Sequence, residues 1–140
     1  MAIELPGGRL GETLRRRLEH EKVVWLTTVG RDGTPEPNPV WFVWENGTVL
    51  TYNRADAARV AHVRTRPRVA LNFDSDGGGG DIQVITGDAA IEEGATPPDR
   101  HAAFARKYAD GIARLGLDPA GFARDYPVPI RIRPKKIRGF

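Results

Sequence analysis

VVWLTTVGRDGTPEPNPVWFVWENGTVLTYN, residues 23–53, carries the strand and turn signals from which the rest of the chain is placed. Its first seven residues are β-branched and aromatic, as strand residues are, and Gly30-Arg31-Asp32-Gly33 supplies the turn chemistry that starts a hairpin. Pro35, Pro37 and Pro39 share one parity, so three amide donors are missing from the same side of the second strand. That half of the strand must lie at a sheet edge or rim. VWFVW continues as a well-buried strand, Asn46-Gly47 is a tight-hairpin signal, and TVLTYN is the third strand. Strands one to three therefore read as a meander.

Upstream of this stretch, Leu10, Leu14 and Leu18 recur at helical spacing among charged residues, which predicts an amphipathic helix over about residues 9–21 that packs as a lid on a flatter element. Downstream, Asp56 is placed to cap a short helix, AARVAHVRT, with Val60 and Val63 facing inward. RVALNF is a fourth strand, and the loop DSDGGGGD leads to a fifth, IQVITGDAAI, bent near Gly87. Beyond Pro97-Pro98 the pattern is helical to about Tyr108 and loosely helical to Asp125. In VPIRIRPKKIRGF, Val128, Ile130 and Ile132 then alternate as a sixth strand. Six strands with helices in these places do not fit regular βαβ alternation. The expected fold is mainly β, a six-stranded antiparallel split β-barrel with peripheral helices, in one domain over residues 1–140.

Composition narrows the chemistry. With no cysteine among 140 residues, disulfides, thiolate nucleophiles and cysteine-ligated metal sites are excluded. The lone serine, Ser75, sits between aspartates in a glycine loop and reads as a turn residue. His20, His62 and His101 lie far apart without a ligand spacing, so no metal site is expected. Asp74, Asp76 and Gly79 match three positions of a calcium loop, but the twelfth is Ile85 where a bidentate glutamate is needed. Twenty-one basic residues against 18 acidic ones make a mixed surface rather than a nucleic-acid stripe. Neither a membrane span nor a secretory leader is visible, which points to the cytoplasm. The abundance of arginine, alanine and glycine has the flavour of a GC-rich genome such as an actinobacterium's.

Arginine carries the most functional information. Arg54 at the end of strand three and Arg59 early in the next helix are close enough to converge on a phosphate. A solvated helix face carrying Arg59, Arg64 and Arg66 is the alternative.

Residues 23–73 resemble the pyridoxamine-phosphate-oxidase-like split barrels, especially the deazaflavin-dependent branch of actinobacteria. The likeness lies in the Gly-Asp-Gly type turn, the Pro-x-x-x-aromatic second strand, the Asn-Gly hairpin and the helix leading to Arg-Pro-Arg-Val. ITGDAAI and the terminal Arg-Gly-Phe extend it. The resemblance implies a homodimer with two cofactor grooves between subunits and a small-molecule substrate, without nucleic-acid or membrane partners. It implies that Val40, Trp41, Phe42 and Val43 lie along a tricyclic ring, partly through backbone groups, and that Tyr52, Asn53 and Arg54 line the ribityl and phosphate end. Arg59 stands where many relatives carry a phosphate-binding lysine. Gln83 and Arg138 would close the site from the partner subunit. The implied activity is hydride transfer between coenzyme F420 and a conjugated or unsaturated small molecule. FMN as cofactor, or cofactor binding without catalysis, are the alternatives. No catalytic residue is assigned; Tyr52 or a water is the candidate proton donor. Arg64, Arg66, Lys135, Lys136 and Arg138 could give the longer deazaflavin tail a basic exit.

Overall fold

The computed structural model describes residues 3–140, so the first two residues of the expected 1–140 domain lie outside the described part. Its element order is α1 (Gly8–His20), β1 (Val24–Val29), β2 (Pro35–Val40), β3 (Val43–Glu45), β4 (Thr48–Asn53), α2 (Ala58–Thr65), β5 (Arg68–Asn72), β6 (Gln83–Ile91), α3 (Ala102–Lys107), α4 (Ala109–Arg114), α5 (Pro119–Asp125) and β7 (Val128–Gly139). The strands form one antiparallel sheet in the order β2-β1-β5-β6-β7-β4-β3. Only Trp41 and Phe42 separate the strands at its two edges, β2 and β3. The sheet therefore curls until its edges meet at that corner, giving a mainly β half-barrel with peripheral helices.

The strand count is seven rather than the expected six because the second strand changes partner midway. Val40 pairs with Val24 of β1, whereas Val43 pairs with Leu50 of β4. Alternation survives the corner: Val40, Phe42 and Trp44 belong to the barrel core, while Trp41 and Val43 face the opposite side. Residues 40–44 thus read as one continuous strand although the hydrogen-bond partners switch, and the expected meander becomes two separate hairpins. The edge position of the prolines is as expected, with β2 bordering only β1. Asn46 (φ 51°) and Gly47 (φ 70°) form the β3–β4 hairpin turn with two successive positive φ angles, the geometry that selects Asn-Gly.

The bend near Gly87 is a bulge. Thr86 lies opposite Lys136 and Gly87 opposite Pro134, so the register slips by a residue. A Cβ at position 87 would stand 2.2 Å from the Arg133 carbonyl oxygen, and only glycine allows that approach.

Two apolar clusters follow from the curl. Leu14 and Leu18 of α1 and Val60 and Val63 of α2 fill the barrel side with Leu26, Phe42, Val49, Leu71, Ile130 and Ile132. On the other side of β4, α3, α4 and α5 bring Phe104, Tyr108, Ile112 and Phe122 against Val43, Leu50 and Tyr52. All six residues of β4 are buried as a result. One cap differs from expectation: α2 starts after Ala57 without a side-chain cap, because Asp56 accepts from Arg54 Nε instead (3.2 Å). No helix among the described residues is long and apolar enough to cross a membrane.

Candidate functional site

The corner beside Trp41, the end of β4, the end of α4 and α5 border a cleft of about 360 Å³. Val40 and Trp41 enter from the end of β2, Tyr52 from β4, and Arg54 and Arg59 from the β4–α2 segment. Five of the ten residues expected at a cofactor site thus converge. Leu115, Phe122 and Tyr126 complete the apolar wall, and among the described residues no acidic side chain lines the cleft.

The two arginines differ in state. Arg54 is exposed and paired with Asp56. Arg59 is half-buried; its Nε donates to Asn53 Oδ1 at 2.6 Å, and no carboxylate stands within ion-pair distance among the described residues. Burial lowers the pKa of Arg59 from the ordinary guanidinium value, and the charge is retained at any physiological pH. A half-buried cation without a counter-charge, at the wall of a cleft free of acidic groups, suits an anion. The solvated-face alternative for Arg59 is not what the structure shows. Arg66 serves structure instead, its Nε donating to Val29 O at 2.7 Å, and Lys135 pairs with Asp88 at 2.6 Å. Two members of the expected basic exit are therefore already engaged.

The remaining expected residues lie elsewhere. Phe42 is fully buried in the barrel core, Val43 packs in the second cluster, and Asn53 is fully buried beneath Arg59. Phe42 also has its backbone polar groups engaged: its N–H donates to Tyr108 Oη (2.8 Å) and its carbonyl accepts from Lys107 Nζ (3.0 Å). Tyr52 forms part of the cleft wall. Its hydroxyl donates to the Thr96 carbonyl, and burial, with the Glu45 carboxylate adding to it, pushes the phenol up to about 12. As placed, that proton is directed at a backbone oxygen. Gln83 is buried under Arg17 and Asp81, and with Arg138 it borders a different cleft on the outer face of the sheet, beside Trp25 and Asn72.

Leu115, Phe122 and Tyr126 were missed because their segment reads only as loosely helical. A signal was present: Asp118-Pro119 starts a helix, Asp118 accepting from Gly121 N–H at 2.7 Å, and two aromatics follow at four-residue spacing. In the structure Phe122 and Tyr126 stack at 4.4 Å, and Trp41 stacks on both Tyr108 (4.6 Å) and Phe122 (5.6 Å). The rings tie the cleft wall to the second cluster.

Lys107 clamps the same corner, with its ammonium 3.8 Å from the centre of the Phe42 ring. Burial, reinforced by the nearby Lys22 ammonium, pushes its amine down to about 8. Between about pH 8 and about pH 10 the unfolded chain holds a proton at this lysine that the folded protein has lost, so this group makes stability rise with pH there. Lys107→Met should flatten that rise in urea unfolding measured across the window. An unaltered slope would mean that the amine is solvated in the folded protein.

Comparison with known proteins agrees with this architecture. The family model described as pyridoxamine 5'-phosphate oxidase matches residues 10–139, and the chain belongs to that family. No curated protein matches it by sequence. Among solved structures it is similar to an F420 reductase (22% identity, 95% of this chain and 98% of that one, TM-score 0.66). It is also similar to a conserved hypothetical protein of Mycobacterium tuberculosis (17%, 99% and 88%, TM-score 0.70) and to the heme storage protein HutZ of Vibrio cholerae (16%, 94% and 95%, TM-score 0.65). At these identities the likeness is one of fold.

Proposed function

We propose that this protein is a cytoplasmic oxidoreductase that transfers a hydride between coenzyme F420 and a small conjugated or unsaturated organic substrate. The observation that carries the reading is Arg59: a half-buried guanidinium, held at Nε and lacking a carboxylate, beside aromatic walls in a cleft without acidic groups. Such a cleft fits a planar ring bearing a phosphate. Arg59, with Arg54 beside it, would hold the phosphate, and Val40, Trp41 and Phe122 would border the ring. Bound there, the deazaflavin supplies the hydride chemistry, and the chain's part is placement and electrostatics. FMN shares the ring and phosphate and is the second candidate.

The protein acts as a homodimer in this reading, with Gln83 and Arg138 of one subunit bordering the partner's groove. The outer face of β1, β5 and β6, where Thr27, Val29, Ala70 and Val84 are half-buried and open clefts remain, supports such an association.

Heme is the contrasting ligand, since one structural relative stores it. The histidines do not favour it. His62 meets Thr28 Oγ1 (2.8 Å) and Glu36 (3.5 Å), and His101 meets Glu45 (2.7 Å) while its other nitrogen accepts from Phe104 N–H (3.2 Å). His20, exposed on α1, has the Glu19 carboxylate 3.8 Å from its Nε2.

Parallel titrations of the purified protein with coenzyme F420, FMN and hemin test the proposal. F420 is expected to bind preferentially, at one site per subunit of a sedimenting dimer. Tight binding of FMN alone would transfer the reading to the flavin. Binding of neither would remove it.

A further inference from the structure

Asn53 ends β4 beneath the cleft, fully buried, and all its polar atoms are assigned. Its Nδ2 donates to Thr51 Oγ1 (3.0 Å) and to the Val128 carbonyl (3.1 Å). With both donors used on acceptors, the amide cannot be turned over without placing its nitrogen against the donor Nε of Arg59. Oδ1 therefore faces Arg59 and accepts from Nε at 2.6 Å. A guanidinium is planar and rigid, so a hydrogen bond at Nε restricts where Nη1 and Nη2 can point. Those two nitrogens meet no protein acceptor among the described residues, and Arg59 lines the cleft.

We infer that Asn53 is a positioning residue, which never touches the ligand but holds the Arg59 fork in the orientation that grips a phosphate. The inference rests on the phosphate-binding reading of the cleft and revises the expectation that Asn53 itself lines the phosphate end. Asn53 suits the task because a neutral acceptor orients the guanidinium without cancelling its charge. An aspartate there would neutralise it, and would set a carboxylate oxygen against the Val128 carbonyl in place of the anchoring donor. The hydrogen bond to Val128 anchors the amide to β7, so the orientation is set by the barrel and not by the mobile end of a long side chain.

The experiment has a ligand-free arm and a binding arm. In nitrogen-15 spectra, the Arg59 Nε–H signal, identified by its loss in Arg59→Lys, should exchange slowly in the unaltered protein and join the fast-exchanging arginines in Asn53→Ala. In calorimetry with FMN and with coenzyme F420, Asn53→Ala should weaken binding about tenfold, the effect of misplacing one charged hydrogen bond, and should add nothing in the Arg59→Ala background. Asn53→Leu keeps the volume and lacks an acceptor for Nε, so it serves if the alanine variant does not fold. It should likewise lose the slow Nε–H signal and bind about tenfold more weakly than the unaltered protein. Equal losses with and without Arg59, an unchanged Nε–H signal in the variant that folds, or native affinity in that variant would each overturn the inference. If the unaltered protein binds neither cofactor, the phosphate reading fails while the Nε–H signal still decides whether Asn53 orients Arg59.

Discussion

Replacing Phe104 with alanine should lower the stability of the protein by about 3–5 kcal/mol, the range for emptying a fully buried aromatic site. Phe104 is the hub of the second apolar cluster. Its ring meets Tyr52 edge-on at 4.9 Å, Tyr108 at 4.7 Å and Phe122 at 5.7 Å. Each such pair contributes about 0.5–1.5 kcal/mol beyond the area it buries. The barrel core is built from other residues, so the loss falls on the contact between α3–α5 and β4. Phe104 lines no part of the cleft, yet Trp41 rests on Tyr108 and Phe122, which rest on it. Cofactor affinity should therefore fall together with stability. Urea unfolding followed by tryptophan fluorescence measures the first effect and calorimetry the second. A loss below about 1 kcal/mol would mean that the helices are not packed on β4 as described, since a well-enclosed ring cannot be removed so cheaply.

Arg59→Ala should do the reverse, weakening cofactor binding by about 1.5–3 kcal/mol, the worth of a hydrogen bond to a charged group, while leaving stability nearly unchanged. Burial without a counter-charge disfavours this guanidinium in the folded protein, so its removal relieves a cost as it removes the bond to Asn53. The split between a large effect on affinity and a small one on unfolding distinguishes a binding cation from a structural one. Arg131 illustrates the structural kind: Glu45 (2.9 Å) and Glu92 (2.6 Å) answer its charge, so its loss would strand two carboxylates. Calorimetric titration with FMN and coenzyme F420 at physiological salt is the check on Arg59. An unchanged dissociation constant would take Arg59 out of the site.

Much of the fold was legible because strands, turns and amphipathic helices are local. The three prolines of one parity, Asn46-Gly47 and the leucines of α1 depend only on near neighbours in the chain, and each lies where its pattern put it. The convergence of Val40, Trp41, Tyr52, Arg54 and Arg59 on one cleft also follows the chain, since all five lie within residues 39–59.

Contacts between distant segments were not legible. Periodicity cannot register that residues 40–44 leave β1 for β4, because side chains keep alternating while the hydrogen-bond partner changes. A local competition was missed as well: Asp56 has the chemistry of a cap, but Arg54, two residues before it, takes its carboxylate. Phe42, Val43 and Asn53 sit beside true cleft residues in the chain, and only packing turns them inward. A curled antiparallel barrel and a pair of arginines after β4 follow from the residues alone. Which of the two arginines is half-buried without a carboxylate depends on distant segments, because Asn53 is held by Val128 of β7 and Arg59 shares its cleft with Phe122 and Tyr126.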